Sequence, residues 1–275
     1  MITLDWKERL KLDTEDFVER KLPEGDYYID IVYNAYPKRV DNKIPSEVIN
    51  FVSKILTSKI AKTAKDYIPF YDYLWNDKGD YGRQIFIYIM RTVVKRDPEF
   101  FLDYLHKNIK KDPGSAEVKA LLRRAVAPLM TSEGKKYIDT VFNWIGIDDA
   151  ELHKSIINLM VKACKDDPTL IKNIFQKVER GWIYPTDHTL RDSSTFLKAI
   201  SKIDQEFYIS VYDNYKNSRN PVFIEILSSS LMAIEDPKAI ERLLGYFENW
   251  SQSGNIRVKK AGQVGVRYLR KRIKK

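Results

Sequence analysis

The chain has 275 residues, of which 44% are hydrophobic and 12% aromatic, and it carries 47 basic and 38 acidic side chains. This composition supports a real core and excludes a disordered chain, while the low numbers of Gly and Pro, 11 of each, favour helices over a turn-rich all-β fold. A single cysteine, Cys164, excludes an internal disulfide and a cysteine-rich zinc site, and we interpret it as a buried structural thiol.

Apolar runs in this sequence are short. None approaches the roughly 18 residues that a membrane-spanning helix needs, and the N-terminal stretch MITLDWKERLKLD lacks the apolar segment of a secretory signal. We therefore expect a soluble, cytoplasmic protein without a membrane partner. The sequence does not indicate an oligomeric state.

The first 79 residues have the least regular patterning, and we interpret them as a helical capping region. Residues 22–45 contain YYIDIVY, which favours a strand but is compatible with a helix, so both alternatives stay open. Clearer helical patterns follow over SEVINFVSKILTSKI, which begins at Ser46, and over KDYIPFYDYLW, which ends before a turn at 76–79.

From residue 80 onward, pairs of apolar helices recur. The second helix of each pair shows the register, because the positions three, four, seven and eight after an anchor residue are nearly all apolar or aromatic. Three anchors are Asp-Pro pairs, in which Asp caps the helix and Pro takes its first position. The first helices are predicted at about 80–95, 116–129, 149–164, 192–202 and 221–234. The anchors, which lie 37, 33, 37 and 32 residues apart, are Asp97, Gly134, Asp167, Asp204 and Asp236.

Helix pairs of this length resemble HEAT-type α-helical repeats. The terminal stretch NIRVKKAG is similar to the usual start of a HEAT helix, where a basic residue after a valine precedes an alanine pair. The resemblance covers roughly residues 80–272 and rests on period and pattern. It implies an all-α fold, a right-handed α-α superhelix or solenoid of helix pairs with a period of about 35 residues. The chain then divides into a capping region, 1–79, and a repeat array, 80–275.

The last twenty residues, IRVKKAGQVGVRYLRKRIKK, carry nine basic side chains and no acid. Removing these nine from the 47 basic residues leaves 38, the number of acids, so the positive excess lies in this segment. Asn255 is the predicted N-cap of a helix whose apolar side includes Gly262 and Gly265, two residues that allow close approach of a neighbouring helix. The opposite side is cationic, and its predicted anion- or nucleic-acid-binding residues are Lys259, Lys260, Arg267, Arg270, Lys271 and Lys274.

Two interpretations of this cationic side stay open. It is either a binding face for an acidic protein or for nucleic-acid phosphates, or a solvated end cap whose basic residues only complement the dipole at the C-terminal end of the helix. The first interpretation gives our leading hypothesis, a non-enzymatic helical-repeat binding protein. A scaffold whose concave groove binds a peptide, with the basic end irrelevant, is a further alternative.

The longest interruption of the repeats is GWIYPTDHTLRD, from Gly181 to Asp192. Aromatic residues beside an acid and a base suggest a binding site, with an ordinary connector that covers the core as the alternative. The three histidines form no zinc motif, and His106 and His153 are interpreted as surface residues of helices. No phosphate loop or nucleophile elbow is present, so we expect no metal and no cofactor.

An enzymatic hypothesis comes from a second resemblance. The chain is similar in length, helical character and basic charge to the HEAT-like-repeat alkylpurine DNA glycosylases. That resemblance implies DNA repair, in which an Asp and aromatic side chains act on a cationic alkylated base. Here it suggests Trp182 and Asp187 as catalytic candidates.

Overall fold

The fold is given by a computed structural model, which describes residues 5–34, 36, 43–132, 134–146 and 149–273. Throughout these residues the regular structure is helical and no β-strand is present, which confirms the predicted all-α class. The chain forms two compact units, an N-terminal unit of residues 1–129 and a C-terminal unit of residues 130–275. The sequence suggests a division after residue 79, whereas the helix that begins at Gly79 packs against the helices before it.

The N-terminal unit is arranged around one long helix. Its helices are α1 (Trp6–Asp16), α2 (Ser46–Ile60), α3 (Ile68–Asn76), α4 (Gly79–Arg96), α5 (Pro98–Ile109) and α6 (Ala116–Leu121). A π-helical turn, Leu122–Val126, joins α6 to α7 (Ala127–Ser132), and the unit ends at Leu129 within α7. The long helix α4 contacts α2, α3, α5, α6 and the π-helical turn, and its apolar side chains are buried among them.

The tyrosine-rich stretch at 22–45 forms a short 3-10 helix, Ile29–Tyr33. The helical alternative is therefore correct for YYIDIVY, and Ile29, Val32 and Tyr33 are buried. Residue 35 and residues 37–42 lie outside the described residues. Helix α2 begins at Ser46, as predicted.

The C-terminal unit consists of helix pairs. Its helices are α8 (Gly134–Phe142), α9 (Ala150–Asp166), α10 (Ile171–Ile183), α11 (Thr189–Ile200), α12 (Gln205–Tyr215), α13 (Pro221–Ser229), α14 (Pro237–Ser251) and α15 (Ile256–Ile273). The first helices contact one another in chain order, α9 with α11, α11 with α13, and α13 with α15. The second helices pack against this row, α10 and α12 on α11 and α14 on α15.

Aspartates cap the starts of α5, α12 and α14, and Asp167 caps a 3-10 turn, Pro168–Leu170, that leads into α10. The sequence predicts caps at the three Asp-Pro anchors, Asp97, Asp167 and Asp236. The carboxylates of Asp97 and Asp204 accept hydrogen bonds from backbone N–H groups three residues on, at 3.2 and 2.8 Å. Those of Asp167 and Asp236 accept from N–H groups two residues on, both at 3.0 Å. Each cap satisfies an N–H group that the helix itself leaves without a partner.

The apolar register that follows the anchors is largely buried. The exceptions among the positions three, four, seven and eight after each anchor are Phe100, Phe142, Phe207 and Leu244. Phe100, 39% exposed, has the ammonium group of Lys65 4.6 Å from its ring centre, which is a cation–π contact. The periodic pattern therefore identified the core of the second helices correctly.

Helix α13 ends at Ser229, five residues before its predicted end, because neighbouring side chains take its last carbonyl groups. The hydroxyl of Tyr208 donates to the Ser230 carbonyl at 2.9 Å, and that of Tyr212 donates to the Leu227 carbonyl at 3.0 Å. The two hydroxyl oxygens lie 2.8 Å apart in a buried network. Partners from another helix thus replace the hydrogen bonds that further helical turns would supply.

Helices α14 and α15 approach closely at two glycines, as the sequence predicts. A Cβ atom at Gly262 would lie 2.4 Å from the backbone nitrogen of Ser251, and one at Gly265 would lie 2.1 Å from the Phe247 ring. Both glycines and the Phe247 ring are buried. The hydroxyl of Ser228 also donates to the Ala261 carbonyl at 2.9 Å, which joins α13 to the same side of α15.

We expect Gly265→Ala to lower the free energy of unfolding by about 1–2 kcal/mol, since the cost of overpacking exceeds the gain in helix propensity. Gly245→Ala is the matched control, because Gly245 is exposed on α14 and a Cβ atom there meets nothing within 4 Å. The free energy of unfolding of this control should rise by up to about 1 kcal/mol, because Ala has the higher helix propensity. Urea denaturation measures both, and a stabilised Gly265→Ala variant would contradict the close packing.

Candidate functional site

Helix α15 begins as predicted, with Asn255 as its N-cap. The Asn255 side-chain oxygen accepts hydrogen bonds from the backbone N–H groups of Arg257 at 2.9 Å and Val258 at 3.3 Å. Val258, Ala261, Gly262, Gly265 and Leu269 are buried against the rest of the unit. The opposite side of the helix therefore faces solvent.

The predicted cationic residues of α15 lie on this solvent side. Lys259, Lys260, Arg267, Arg270 and Lys271 are all exposed, whereas Lys274 lies outside the described residues. Two of the helix's arginines are paired across helices, Arg257 with Glu225 at 2.6 Å and Arg270 with Glu248 at 2.9 Å. Within the part of the chain that the structure describes, no carboxylate is paired with Lys259, Lys260, Arg267 or Lys271, which we call the cationic row.

The helix dipole accounts for only part of this charge. Arg270, Lys271 and Arg272 occupy the last turn of α15, where the dipole favours cations. Arg257 and Lys259 lie in the first turn, where it disfavours them, and that turn contains no acid. An end cap that merely complements the dipole therefore does not explain the first half of the cationic row.

The second predicted site, around GWIYPTDHTLRD, is organised differently from the prediction. Helix α10 extends to Ile183 and α11 begins at Thr189, so the irregular segment is only residues 184–188. Trp182 is fully buried, its indole N–H donates to the Ser193 hydroxyl at 2.9 Å, and its ring packs against Phe175. Trp182 therefore covers the core and has no ring face open to a ligand, which does not fit its suggested role as a catalytic residue.

The two aspartates of this segment have opposite environments. Asp187 is exposed in the turn, whereas Asp192 is buried near the start of α11. The Arg191 guanidinium donates to one Asp192 oxygen at 2.9 and 3.0 Å, and the other oxygen lies 3.1 Å from Nδ1 of His153. Arg191 also donates to the Ala150 carbonyl at 2.9 Å, so this network fastens α11 to α9. His153 is 6% exposed, and its interpretation as a surface residue is wrong.

A cavity of about 660 Å³ opens beside this network. Its apolar lining comes from Phe142, Ile145, Ile157 and Val178, and its polar lining includes Asp139, His153, Lys177, Arg180, Tyr184 and Asp192. Lys177 pairs with Asp139; burial lowers the pKa of the Lys177 ammonium group, and Arg180 lowers it further. Sequence reasoning missed this cavity because its charged residues lie on four helices and share no linear spacing.

The chemistry that this cavity supports is polar binding. The Asp192 carboxylate, 3.1 Å from Nδ1 of His153, holds the His153 ring in one orientation. The nearby Ser193 hydroxyl oxygen accepts a hydrogen bond from the Trp182 indole N–H. Among the described residues, His, Cys, Asp and Glu side chains nowhere gather in a group of three or more that would hold a metal ion.

Comparisons with known proteins give no family for this chain. No family model, no curated protein and no solved structure matches it. A search of the described residues for helices that are both long enough and apolar enough to cross a membrane finds none. The function is therefore inferred from the geometry of the residues themselves.

We expect Asp192→Ala to destabilise the protein by about 2 kcal/mol, since it leaves the buried His153 and the partly buried Arg191 without their carboxylate. Asp187→Ala should change the free energy of unfolding by less than about 0.5 kcal/mol, because Asp187 is exposed. Chemical denaturation of the two variants measures the difference. Equal stabilities would show that the buried network does not fasten α11 to α9.

The thiol of Cys164 gives a second test of the packing. It is fully buried, and burial, together with the charge of Asp167, raises the pKa of the thiol to about 12. At pH 8 the native thiol should react with a disulfide reagent on the order of a thousandfold more slowly than in denaturant, where its pKa is ordinary. Equal rates in both conditions would mean that Cys164 is accessible in the folded protein.

Proposed function

We propose that the C-terminal unit is a HEAT-like solenoid of helix pairs. The contacts of α9, α11, α13 and α15 in chain order support this arrangement. The second helices add side-chain links between successive pairs, Tyr215 of α12 with Glu179 of α10 and Tyr246 of α14 with Asp213 of α12. Stacked pairs of this kind bury a continuous core that no single pair could bury alone.

We further propose that the protein is a non-enzymatic binding protein for nucleic acid, and that the cationic row of α15 contacts phosphates. The observation that carries the proposal is four exposed, unpaired cations opposite a buried face. From residue 259 to 271 the row rises about 18 Å at 1.5 Å per residue. A duplex carries one charge per roughly 1.7 Å of axis, so a row of this length lies alongside about ten phosphates.

An acidic protein would also satisfy the charge, but nucleic acid suits this surface better. Protein interfaces usually have an apolar or aromatic centre that contributes most of the binding energy. On the described part of α15 the large exposed apolar side chains are Ile256 and Val264, and neither is aromatic. Contacts with a phosphate backbone need only charged and polar groups, which the row supplies.

The glycosylase alternative gains no support from the residues named for it. Trp182 is buried and Asp187 is exposed on a turn, so the two do not form a pocket for a base. Asp187 is also absent from the lining of the cavity beside α11. We therefore do not put forward DNA-glycosylase activity as the function.

Reversal of the four charges in the cationic row to Glu should abolish nucleic-acid binding at low salt. For wild-type protein, the logarithm of the binding constant should fall with the logarithm of salt concentration at a slope near −0.9 for each phosphate neutralised on duplex DNA. Fluorescence anisotropy with a labelled duplex at several salt concentrations measures both. Milder neutralisation, Lys260→Gln with Arg267→Gln, should reduce the slope by about 2.

A control variant reverses three other charges of the same unit, those of Lys162 on α9, Lys198 on α11 and Lys202 just after α11, all of which are exposed. This variant should bind almost like wild type if the site is on α15. Unchanged binding by the α15 variant, with an unchanged melting curve, would overturn the proposal. If wild type binds no nucleic acid, and the α15 variant loses binding to an acidic protein that wild type binds, the cationic row belongs to that protein partner instead.

A further inference from the structure

The N-terminal unit contains a cluster of cations that the cationic row does not explain. Arg91, Lys95 and Arg96 of α4 and Arg124 of the π-helical turn line one depression of about 430 Å³, with Tyr88 and Pro128 also at its wall. All four cationic side chains are exposed. We call these four residues the α4 cluster.

Other described arginines of this unit have acidic partners, whereas the α4 cluster has none among the residues that the structure describes. The described arginines before residue 91, which are Arg9, Arg20 and Arg83, lie 2.8 to 4.0 Å from carboxylates. Among the residues that the structure describes, none of the four α4-cluster cations is paired with a carboxylate. Like charges one turn apart on a helix repel, so the arrangement is unfavourable unless an anion is bound.

Local helix effects explain only two of these cations. Lys95 and Arg96 lie in the last turn of α4, where the helix dipole favours positive charge. Arg91 lies more than a turn earlier, with its guanidinium carbon 5.6 Å from the centre of the Tyr88 ring. Arg124 is on a separate segment, a π-helical turn that contacts α4, and such turns occur frequently at functional sites.

We propose that the α4 cluster binds a compact phosphorylated small molecule that carries two or more phosphate groups. Arginine presents a planar set of donors that matches phosphate oxygens, and its charge persists at every physiological pH. Four cations around one depression favour a ligand that concentrates several negative charges in a small volume. The depression lies within the usual size range of small-molecule sites, which favours such a ligand over an extended nucleic-acid strand.

The test uses the full chain, with inorganic tripolyphosphate, ATP and a single-stranded oligonucleotide as probes. Tripolyphosphate and ATP should each raise the melting temperature of wild type, and isothermal titration should give a dissociation constant for each. Arg91→Gln combined with Arg124→Gln should weaken binding about a hundredfold, because removal of each charged hydrogen bond to phosphate weakens binding about tenfold. Tighter binding of ATP than of tripolyphosphate would identify a nucleotide, and equal binding would identify the phosphate groups alone.

Arg123→Gln is the matched control, because Arg123 is exposed on the same π-helical turn but is absent from the cavity lining. It should bind both probes like wild type. Without ligand, the double variant should melt at the same temperature as wild type or higher, whereas loss of a structural role would lower it. The proposal is overturned if tripolyphosphate and ATP do not raise the melting temperature of wild type, or if they raise that of the double variant equally. It is also overturned if the double substitution weakens binding of the oligonucleotide but not of tripolyphosphate or ATP.

Discussion

Burial of the apolar stripe on each second helix is the constraint on which the C-terminal unit depends. A capping aspartate fixes where α12 and α14 begin, and most of the residues three, four, seven and eight positions later then turn inward. Four aromatic side chains of the unit are buried at these positions, Tyr137, Phe175, Tyr208 and Tyr212. What remains for a ligand is the polar side of each helix, so charge and its pairing decide where binding can occur.

The sequence was sufficient for features that depend on local periodicity. The all-α class, the caps at the Asp-Pro anchors, the cap at Asn255 and the opposite faces of α15 all follow from spacings within about four residues. Gly262 and Gly265 were informative for the same reason, because glycine in a helix interior is unfavourable unless a neighbour needs the space. The stacking of the pairs and the function of α15 are not determined by such local signals.

Features decided by distant residues could not be predicted. Asp192 and His153 are 39 positions apart and come together only because α9 contacts α11. The early end of α13 depends on tyrosine hydroxyls from α12, and Trp182 is buried because Phe175, Tyr215 and Phe223 surround its ring. The predicted interruption began at Gly181, yet α10 continues to Ile183, and Pro185 follows the helix end by two residues, as proline commonly does.

The net charge of a stretch of sequence does not show where unpaired cations cluster on the folded surface. Outside the last twenty residues the chain has equal numbers of basic and acidic residues, which suggests a neutral body with a basic end. The α4 cluster contradicts that view, because acids elsewhere balance its charge in the sum but do not lie beside it. Ions at physiological strength screen exposed charges beyond about 8 Å, so a ligand responds to the cations within that distance and not to the net charge of the chain.

Conversely, α15 presents fewer unpaired cations than its sequence contains, because Glu225 and Glu248 neutralise two of its arginines from neighbouring helices. Local pairing, which only the folded chain defines, therefore determines which basic residues can hold an anion.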